Sequence, residues 1–123
     1  MEFRIAFYES ERGDIPLRRF IDELYASQPA LHRLVIAGLA KLRSSAFHGP
    51  PLTIQVDADV GILEMRVGRR DIARVFFFFR PDRTIVCTNG YVKKSQKVDP
   101  AELARARRYK TDWEGRHDAD PRS

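Results

Sequence analysis

The stretch DIARVFFFFRPD, residues 71–82, decides the fold because it places four phenylalanines, Phe76–Phe79, side by side in a strongly charged chain. Side chains in a β-strand alternate between its two faces, so odd-numbered residues from Val75 face one way and even-numbered residues from Arg74 face the other. Both faces of this strand are therefore apolar at its centre. Because an exposed edge strand of this composition would aggregate, we expect a central strand with helices packed over both faces of its sheet.

The sequence on both sides of this stretch also has the character of β-structure. GILEMRV (61–67) and TIVCTNGYV (84–92) are rich in β-forming residues, and the short connections GRR and PDR contain turn formers, which predicts an antiparallel meander. Residues 3–8 near the N-terminus alternate with a period of two, which predicts one more strand.

Three further segments have the periodicity of amphipathic helices. The first helix is expected to begin after an N-cap at Asp14, and the third after a capping residue at Asp99. The predicted apolar stripes are Leu17, Phe20, Ile21 and Leu24 in the first helix, Leu31, Leu34, Val35, Gly38 and Leu42 in the second, and Leu103, Ala106, Tyr109 and Trp113 in the third.

The order strand, helix, helix, three strands, helix predicts an α+β fold, β-α-α-β-β-β-α, in which a small, mostly antiparallel, twisted sheet packs against helices. At 123 residues the chain is long enough for one core and too short for two, so we expect a single domain over residues 1–113. Residues 114–123 are polar and are expected to form a disordered tail.

The composition limits the classes of partner and compartment. With 22 basic and 17 acidic residues the formal charge is +5, which favours anionic partners such as nucleic acid, an acidic protein or a membrane surface. The single cysteine, Cys87, cannot form an internal disulfide, and no signal-peptide pattern or membrane-spanning apolar run occurs, so we expect a cytoplasmic protein without membrane association. The three histidines, His32, His48 and His117, lack metal-ligand spacing, so we expect no metal and no other cofactor.

The register between two strands decides whether their charged side chains meet. If Arg66 or Glu64 pairs with Arg74, the three side chains share one face of the sheet, whereas pairing of Met65 with Arg74 puts the two arginines on opposite faces. We expect the shared face, with Arg74 at its rim, where the guanidinium can reach solvent or line a concave site. The lysines of NGYVKKSQK (89–97) are expected beside them, where the chain leaves the sheet.

Residues 61–113 combine four features that together resemble one protein family. These are Glu64-x-Arg66 on one strand, Arg74 followed by aromatic residues on the next, the motif NGYVKKSQK, and a terminal helix that begins DPAELARAR. The combination resembles the phage-derived, HigB-like branch of the RelE/ParE toxin superfamily of type II toxin–antitoxin systems. The upstream strand and helix pair fit the same architecture.

The resemblance implies a RelE-like fold and an mRNA interferase, a metal-free endoribonuclease that cuts mRNA on the ribosome. It also implies a hetero-oligomer with a cognate antitoxin, expected to be a helix-turn-helix, HigA-like protein. Attack by the neighbouring 2′-hydroxyl needs proton transfer and stabilisation of a dianionic transition state, and clustered Arg and Lys side chains suit the second task. On the matching positions, the predicted catalytic residues are Glu64, Arg66, Arg74, Lys93 and Lys94, and the predicted RNA-binding residues are Arg69, Arg70, Tyr91, Gln96 and Lys97.

Within that set, Arg74 matches the family's strand arginine that contacts the scissile phosphate, and Lys93 or Lys94 could serve as base or acid. Several relatives use a histidine or a tyrosine near the chain end, and Tyr91 and Tyr109 are the candidates here.

Each of these assignments has a structural alternative. Arg74 could be a sheet arginine paired with Glu64, and the lysines could be solvated loop charges. The alternative function is a non-catalytic nucleic-acid- or partner-binding module of the same fold.

Overall fold

The phenylalanine strand lies inside the sheet, between two neighbouring strands. The computed structural model of the protein describes residues 2–95 and 97–118, and within them the strands are β1 (Arg4–Phe7), β2 (Thr53–Asp57), β3 (Ile62–Gly68), β4 (Ile72–Phe79) and β5 (Thr84–Lys93). Their spatial order is β1-β5-β4-β3-β2, with β1 parallel to β5 and the other neighbours antiparallel. The phenylalanines of β4 are thus paired on both edges, as the composition of that strand predicts.

The helices in the described residues are α1 (Pro16–Ser27), α2 (Pro29–Leu42) and α3 (Pro100–Asp118), and a short 3₁₀ turn, Ser45–Phe47, follows α2. α1 and α2 cover one face of the sheet, here called the helix-pair face, and α3 covers the other, here called the α3 face. This arrangement confirms the α+β class and the mostly antiparallel sheet. Among the described residues, no helix combines the length and the apolar composition that a bilayer crossing needs.

The strand β2 was not predicted. Its sequence, TIQVD, offers only Ile54 and Val56 as apolar side chains, and it begins two residues after Pro51 in a segment where Pro50 and Pro51 indicate a loop. The strand forms because it pairs with β3 at the edge of the sheet, where one neighbour is enough. Four strands therefore lie between α2 and α3 in place of the expected three.

The helix α3 is longer than predicted. It continues past Trp113 to Asp118, so residues 114–118 are helical and not part of a disordered tail. The additional turn is held by Arg80, whose guanidinium forms ion pairs with Glu114 and Asp118. Residues 119–123 of the expected tail lie outside the described residues.

The helix-pair face buries one side of the phenylalanine strand. Val75 and Phe77 lie there beside Met65 and Cys87 from the neighbouring strands, under apolar side chains of α1 and α2. Burial raises the pKa of the Cys87 thiol to about 12, so this cysteine acts as a small apolar side chain, as expected. α2 approaches the sheet closely because Gly38 has no side chain: a Cβ there would lie 2.8 Å from the sulfur of Met65.

The first two helices differ from the prediction in detail. Ile15, not Asp14, occupies the N-cap position of α1, and no side chain caps that end. In α2, Leu34 is 47% exposed and Leu39 is buried in its place. Leu39 lies one turn beyond Val35, on the side of the helix that the sheet covers.

The α3 face buries the other side of the phenylalanine strand. Phe76 packs with Ile62 and Ala106, and Phe78 packs with Val86. The predicted stripe of α3 lies on these residues and is confirmed: Leu103, Ala106, Tyr109 and Trp113. The interior of the phenylalanine run is therefore core on both faces of the sheet.

Polar contacts fix the C-terminal half of α3 to the sheet. The Tyr8 hydroxyl donates a hydrogen bond to Asp112 Oδ2 at 2.7 Å, and Arg116 Nη2 donates to the same oxygen at 2.8 Å. Burial, followed by the hydrogen bond to Asp112, raises the pKa of Tyr8 to about 12. Because this folded-state pKa exceeds the unfolded value of about 10, the stabilisation is complete below pH 10 and is lost as the pH rises towards 12.

We predict that Tyr8→Phe lowers the free energy of unfolding by about 1 kcal/mol at neutral pH, because the hydrogen bond to Asp112 is lost. The difference between wild type and variant should shrink between pH 10 and pH 12, where the wild-type phenol ionises more readily in the unfolded chain. Urea denaturation at a series of pH values measures both effects. A difference that is independent of pH would contradict a buried Tyr8 phenol.

Gly90 of β5 is too crowded for a side chain. A Cβ there would lie 2.5 Å from Phe20 Cδ2 on α1 and 3.0 Å from the backbone oxygen of Arg74. We predict that Gly90→Ala lowers the free energy of unfolding by about 1–3 kcal/mol through overpacking. Gly115→Ala is the matched control, since nothing lies within 4 Å of that position and alanine favours a helix. Equal stability of the two variants in urea would argue against close packing of α1 on β5.

Candidate functional site

Three of the predicted site residues form a row across the α3 face. Arg66 of β3 lies opposite Arg74 of β4, and Arg74 lies opposite Tyr91 of β5. The register therefore confirms that Arg66 and Arg74 share one face. Glu64 lies two residues before Arg66 on the same strand and points to the same side. These four residues are here called the Glu64 cluster.

The Glu64 carboxylate is the centre of this cluster and is completely buried. Its Oε1 accepts hydrogen bonds from Arg66 Nε at 2.6 Å and from Arg74 Nη1 at 3.2 Å, and its Oε2 accepts one from the Tyr91 hydroxyl at 3.2 Å. A carboxylate removed from water is strongly destabilising unless opposite charges and hydrogen bonds compensate it. The two arginines and the tyrosine provide that compensation, and Glu64 in return orients both guanidinium groups.

Arg74 is fully buried, so the expected position at the rim of the face was wrong, and so was the alternative in which its guanidinium reaches solvent. Its Nη1 donates to Glu64, its Nη2 donates to the backbone oxygen of Ser95, and its Nε has no hydrogen-bond partner within residues 2–95 and 97–118. The ring of Tyr91 lies 6.0 Å from the guanidinium carbon. Arg74 thus connects the sheet to the chain after β5, and in this conformation its guanidinium is closed off from solvent.

Tyr91 connects the cluster to the start of α3. Its hydroxyl accepts a hydrogen bond from the backbone N–H of Asp99 at 3.1 Å, and Asp99 caps the helix by accepting from the N–H groups of Ala101 and Glu102. Burial raises the pKa of the Tyr91 phenol, and the nearby Glu64 carboxylate adds to the rise. The phenol therefore stays protonated at neutral pH and acts as a hydrogen-bond donor.

Asn89 is a buried polar residue for which the sequence suggested no role. Its Nδ2 donates to the backbone oxygen and to Oε2 of Glu102 in the first turn of α3, both at 3.1 Å, and its Oδ1 accepts from the Thr88 hydroxyl at 2.8 Å. It lies where the register of β5 against β4 shifts. The dipeptide Asn89-Gly90 inside an apolar strand could have indicated this irregularity, since neither residue favours regular β-structure. The first half of NGYVKKSQK thus positions α3.

The second half of that motif contributes to a group of cations at one end of the sheet. Gly68 lies opposite Ile72, and Ile72 lies opposite Lys93, so the β3–β4 turn and the chain after β5 are neighbours. The cations, here called the cationic end, are Arg69, Arg70, Lys93, Lys94 and Lys97. None of the five forms a salt bridge with another described residue, whereas several cations of α3 do. Uncompensated positive charge of this density favours a polyanionic partner. Gln96 lies outside the described residues.

Arg66 connects the Glu64 cluster to an open groove of about 630 Å³. The groove, here called the Arg66 groove, is lined by Lys41 of α2, by the segment that follows α2, and by residues of β2, β3 and β4. Its lining includes Ile54, Arg66 and Ile72 from the sheet and Phe47 and His48 from the segment. The Arg66 side chain remains 18% exposed, so it is the one member of the cluster's arginine pair that a ligand can reach.

The three histidines take part in local packing. His48 Nε2 lies 2.7 Å from the backbone oxygen of Leu42, and the ring of His117 stacks on Trp113 at a centroid distance of 3.7 Å. His32 lies edge-on to a tyrosine of α1. In the part of the chain that the structure describes, no three His, Cys, Asp or Glu side chains are grouped so that they could hold a metal ion.

A comparison with family models connects this architecture to known proteins. The model described as phage derived protein Gp49-like (DUF891) matches residues 22–111, which run from α1 into α3 and include every predicted site residue. The chain belongs to this family. The Gp49-like family is a toxin-like family of toxin–antitoxin systems, which confirms the broader part of the resemblance. Curated proteins gave no match to the chain.

We predict that removing the Arg74 charge destabilises this Gp49-like protein. In Arg74→Met the buried Glu64 carboxylate loses one of its two arginines, and the free energy of unfolding should fall by about 3 kcal/mol. Adding Glu64→Leu should recover most of the loss, because the buried negative charge is then removed as well. Arg69→Met removes an exposed charge and is the control, expected within about 0.5 kcal/mol of wild type. Urea denaturation compares the variants, and a double variant less stable than Arg74→Met would contradict the pairing.

Proposed function

We propose that this protein is the toxin of a type II toxin–antitoxin pair and acts as an mRNA endoribonuclease. The observation that carries the proposal is the arrangement of the cationic end beside the Glu64 cluster, in a chain of the Gp49-like family. Like the HigB branch of the RelE superfamily, it is proposed to cut mRNA on the ribosome. The proposed compartment is the cytoplasm, where mRNA is translated.

The cationic end is proposed to hold the RNA backbone. Arg69 and Arg70 on the β3–β4 turn and the lysines after β5 present separate positive charges to successive phosphates. Each phosphate that such a side chain neutralises releases condensed counterions, so affinity should depend strongly on salt. The supporting observation is that these cations form no salt bridges within the described residues and are available for an anionic ligand.

The proposed reaction is transesterification within the RNA. The 2′-oxygen loses its proton and forms a bond to phosphorus, the bond from phosphorus to the 5′-oxygen breaks, and that oxygen takes a proton. The products carry a 2′,3′-cyclic phosphate and a 5′-hydroxyl. Arg66, Lys93 and Lys94 are the groups proposed to stabilise the charge on the phosphoryl oxygens, with a lysine as proton donor or acceptor.

Glu64 and Arg74 are proposed as positioning residues. The Glu64 carboxylate holds Arg66 through Nε, and Arg74 holds the chain after β5 through Ser95, next to Lys94. A role for Arg74 on the scissile phosphate requires that the segment at Ser95 move away from it, because the guanidinium is fully buried. Tyr91 is proposed to act through Glu64 as well.

One observation favours a second candidate function, a non-catalytic RNA- or partner-binding module. The strand arginine that the family resemblance assigns to the scissile phosphate is enclosed, while the exposed cations alone would suffice for binding. In both cases the proposed partner is a cognate helix-turn-helix, HigA-like antitoxin that forms a hetero-oligomer with this chain.

We predict that Lys93→Ala/Lys94→Ala abolishes growth inhibition and lowers mRNA cleavage at least about a hundredfold, the usual effect of losing proton transfer or charge stabilisation. Cleavage is measured by inducing the chain in cells without antitoxin and mapping new RNA ends that carry a 5′-hydroxyl. The matched control is Arg12→Ala/Arg108→Ala, which removes the same charge from exposed positions on other parts of the molecule.

The two functions give different outcomes in this experiment. An endoribonuclease produces new 5′-hydroxyl ends that the lysine variant lacks and the control retains. A binding module inhibits growth without new ends and loses RNA affinity in a salt-dependent manner. Equal cleavage by the lysine variant and the control would show that the site lies elsewhere.

A further inference from the structure

We propose that the Arg66 groove binds one nucleotide of the RNA, next to the linkage held by the cationic end, with its base against Phe47 and its phosphate between Lys41 and Arg66. This inference rests on the proposed function and specifies a part of the substrate site. It assigns RNA contacts to the segment between α2 and β2, which carries none of the predicted site residues.

The lining of the groove is partly apolar and aromatic. Phe47 is 47% exposed at the groove, although a large aromatic side chain is usually buried. Leu52, Ile54 and Ile72 provide an apolar surface beside it. Single-stranded RNA presents unstacked bases, and proteins bind them most often by stacking on aromatic side chains. The groove therefore offers a surface for a planar, mostly apolar ring.

The groove is also positively charged. The residues that line the groove include Lys41, His48 and Arg66. They include no aspartate or glutamate. The ammonium of Lys41 lies 5.6 Å from the centre of the Phe47 ring, so a cation adjoins the stacking surface. A base with its attached phosphate needs this combination of an aromatic surface and a nearby cation. An apolar peptide or a lipid chain would not require the cations.

The groove is continuous with the proposed active site. Arg66 belongs both to the groove and to the Glu64 cluster, where its Nε is fixed by the carboxylate at 2.6 Å. Ile72 lines the groove and lies directly opposite Lys93 of the cationic end. An RNA strand that crosses the cationic end can therefore place its neighbouring nucleotide in the groove without leaving the protein surface.

The experiment measures RNA binding by purified protein. The probe is a fluorescein-labelled, 2′-O-methylated single-stranded RNA, which cannot be cleaved by 2′-oxygen attack, and fluorescence anisotropy is recorded over a range of salt concentrations. Phe47→Ala should weaken binding about fivefold to a hundredfold, the range for loss of one stacked base, with an unchanged salt dependence. Lys41→Ala should weaken binding and reduce the salt slope by about 0.7, the value for one phosphate contact on a single strand.

The matched control is Tyr25→Ala, which removes an aromatic side chain that is 69% exposed on α1, outside the groove. Phe47→Trp, which keeps a stacking surface, should bind as well as wild type. Thermal unfolding checks that each variant is folded, and Phe47→Leu, which keeps apolar volume but offers no aromatic face, replaces Phe47→Ala if that variant is unstable.

The failure of this inference differs from the failure of the proposed function. If wild type binds the probe and Phe47→Ala and Lys41→Ala bind it as tightly as Tyr25→Ala does, the groove does not hold RNA and the proposed function stands. If wild type does not bind the probe and produces no new RNA ends in cells, the proposed function fails and the groove assignment fails with it.

Discussion

The buried carboxylate of Glu64 is the constraint on which the polar half of this structure depends. A charge in the interior must be compensated, and the compensation comes from the strand of Glu64 itself and from the next two strands of the sheet: Arg66 from β3, Arg74 from β4 and Tyr91 from β5. Arg74 and Tyr91 then extend the network to Ser95 and Asp99, the segment that leads into α3. One acidic side chain therefore connects three strands and, through Arg74 and Tyr91, the chain that follows them.

The α3 face of the sheet is divided into two regions of different polarity. Under α3 it is apolar, with Phe76 and Phe78 buried against the helix. Towards the cationic end it is polar, and the side chains that face solvent are positively charged. A rigid, packed region beside an exposed, charged one is the arrangement that a site needs when it must hold a flexible polyanion in a defined position. On the helix-pair face, by contrast, apolar side chains of β3, β4 and β5 pack against α1 and α2.

The sequence predicted the parts of this structure that follow from local pattern. The phenylalanine run implied a strand covered on both faces, and the alternation of Glu64, Arg66 and Arg74 implied one polar face once the register was chosen. The burial of Arg74 was not predictable, because it depends on a backbone oxygen 21 residues later in the chain. The Arg66 groove was missed for a similar reason, since it depends on the path of the segment between α2 and β2.

The other features that the sequence did not predict also depend on contacts between distant parts of the chain. Asn89 has its role because Glu102 meets it at the start of α3, and β2 is a strand because β3 is available to pair with it. Leu34 and Leu39 both lie on the amphipathic helix α2, and only the position of the sheet decides which of them is buried.

The parallel pairing of β1 with β5 has a consequence for folding. Arg4 pairs with Thr84 and Phe7 with Cys87, and β5 is the neighbour of β1 in the sheet, so β1 joins the sheet only when a strand far along the chain is in place. Contacts this remote in the chain slow folding, since a long loop must close before they form. Until that loop closes, the outer edge of β5 has no partner in the sheet. An unpaired strand edge can pair with another chain, so the docking of β1 also protects the protein from edge-to-edge association.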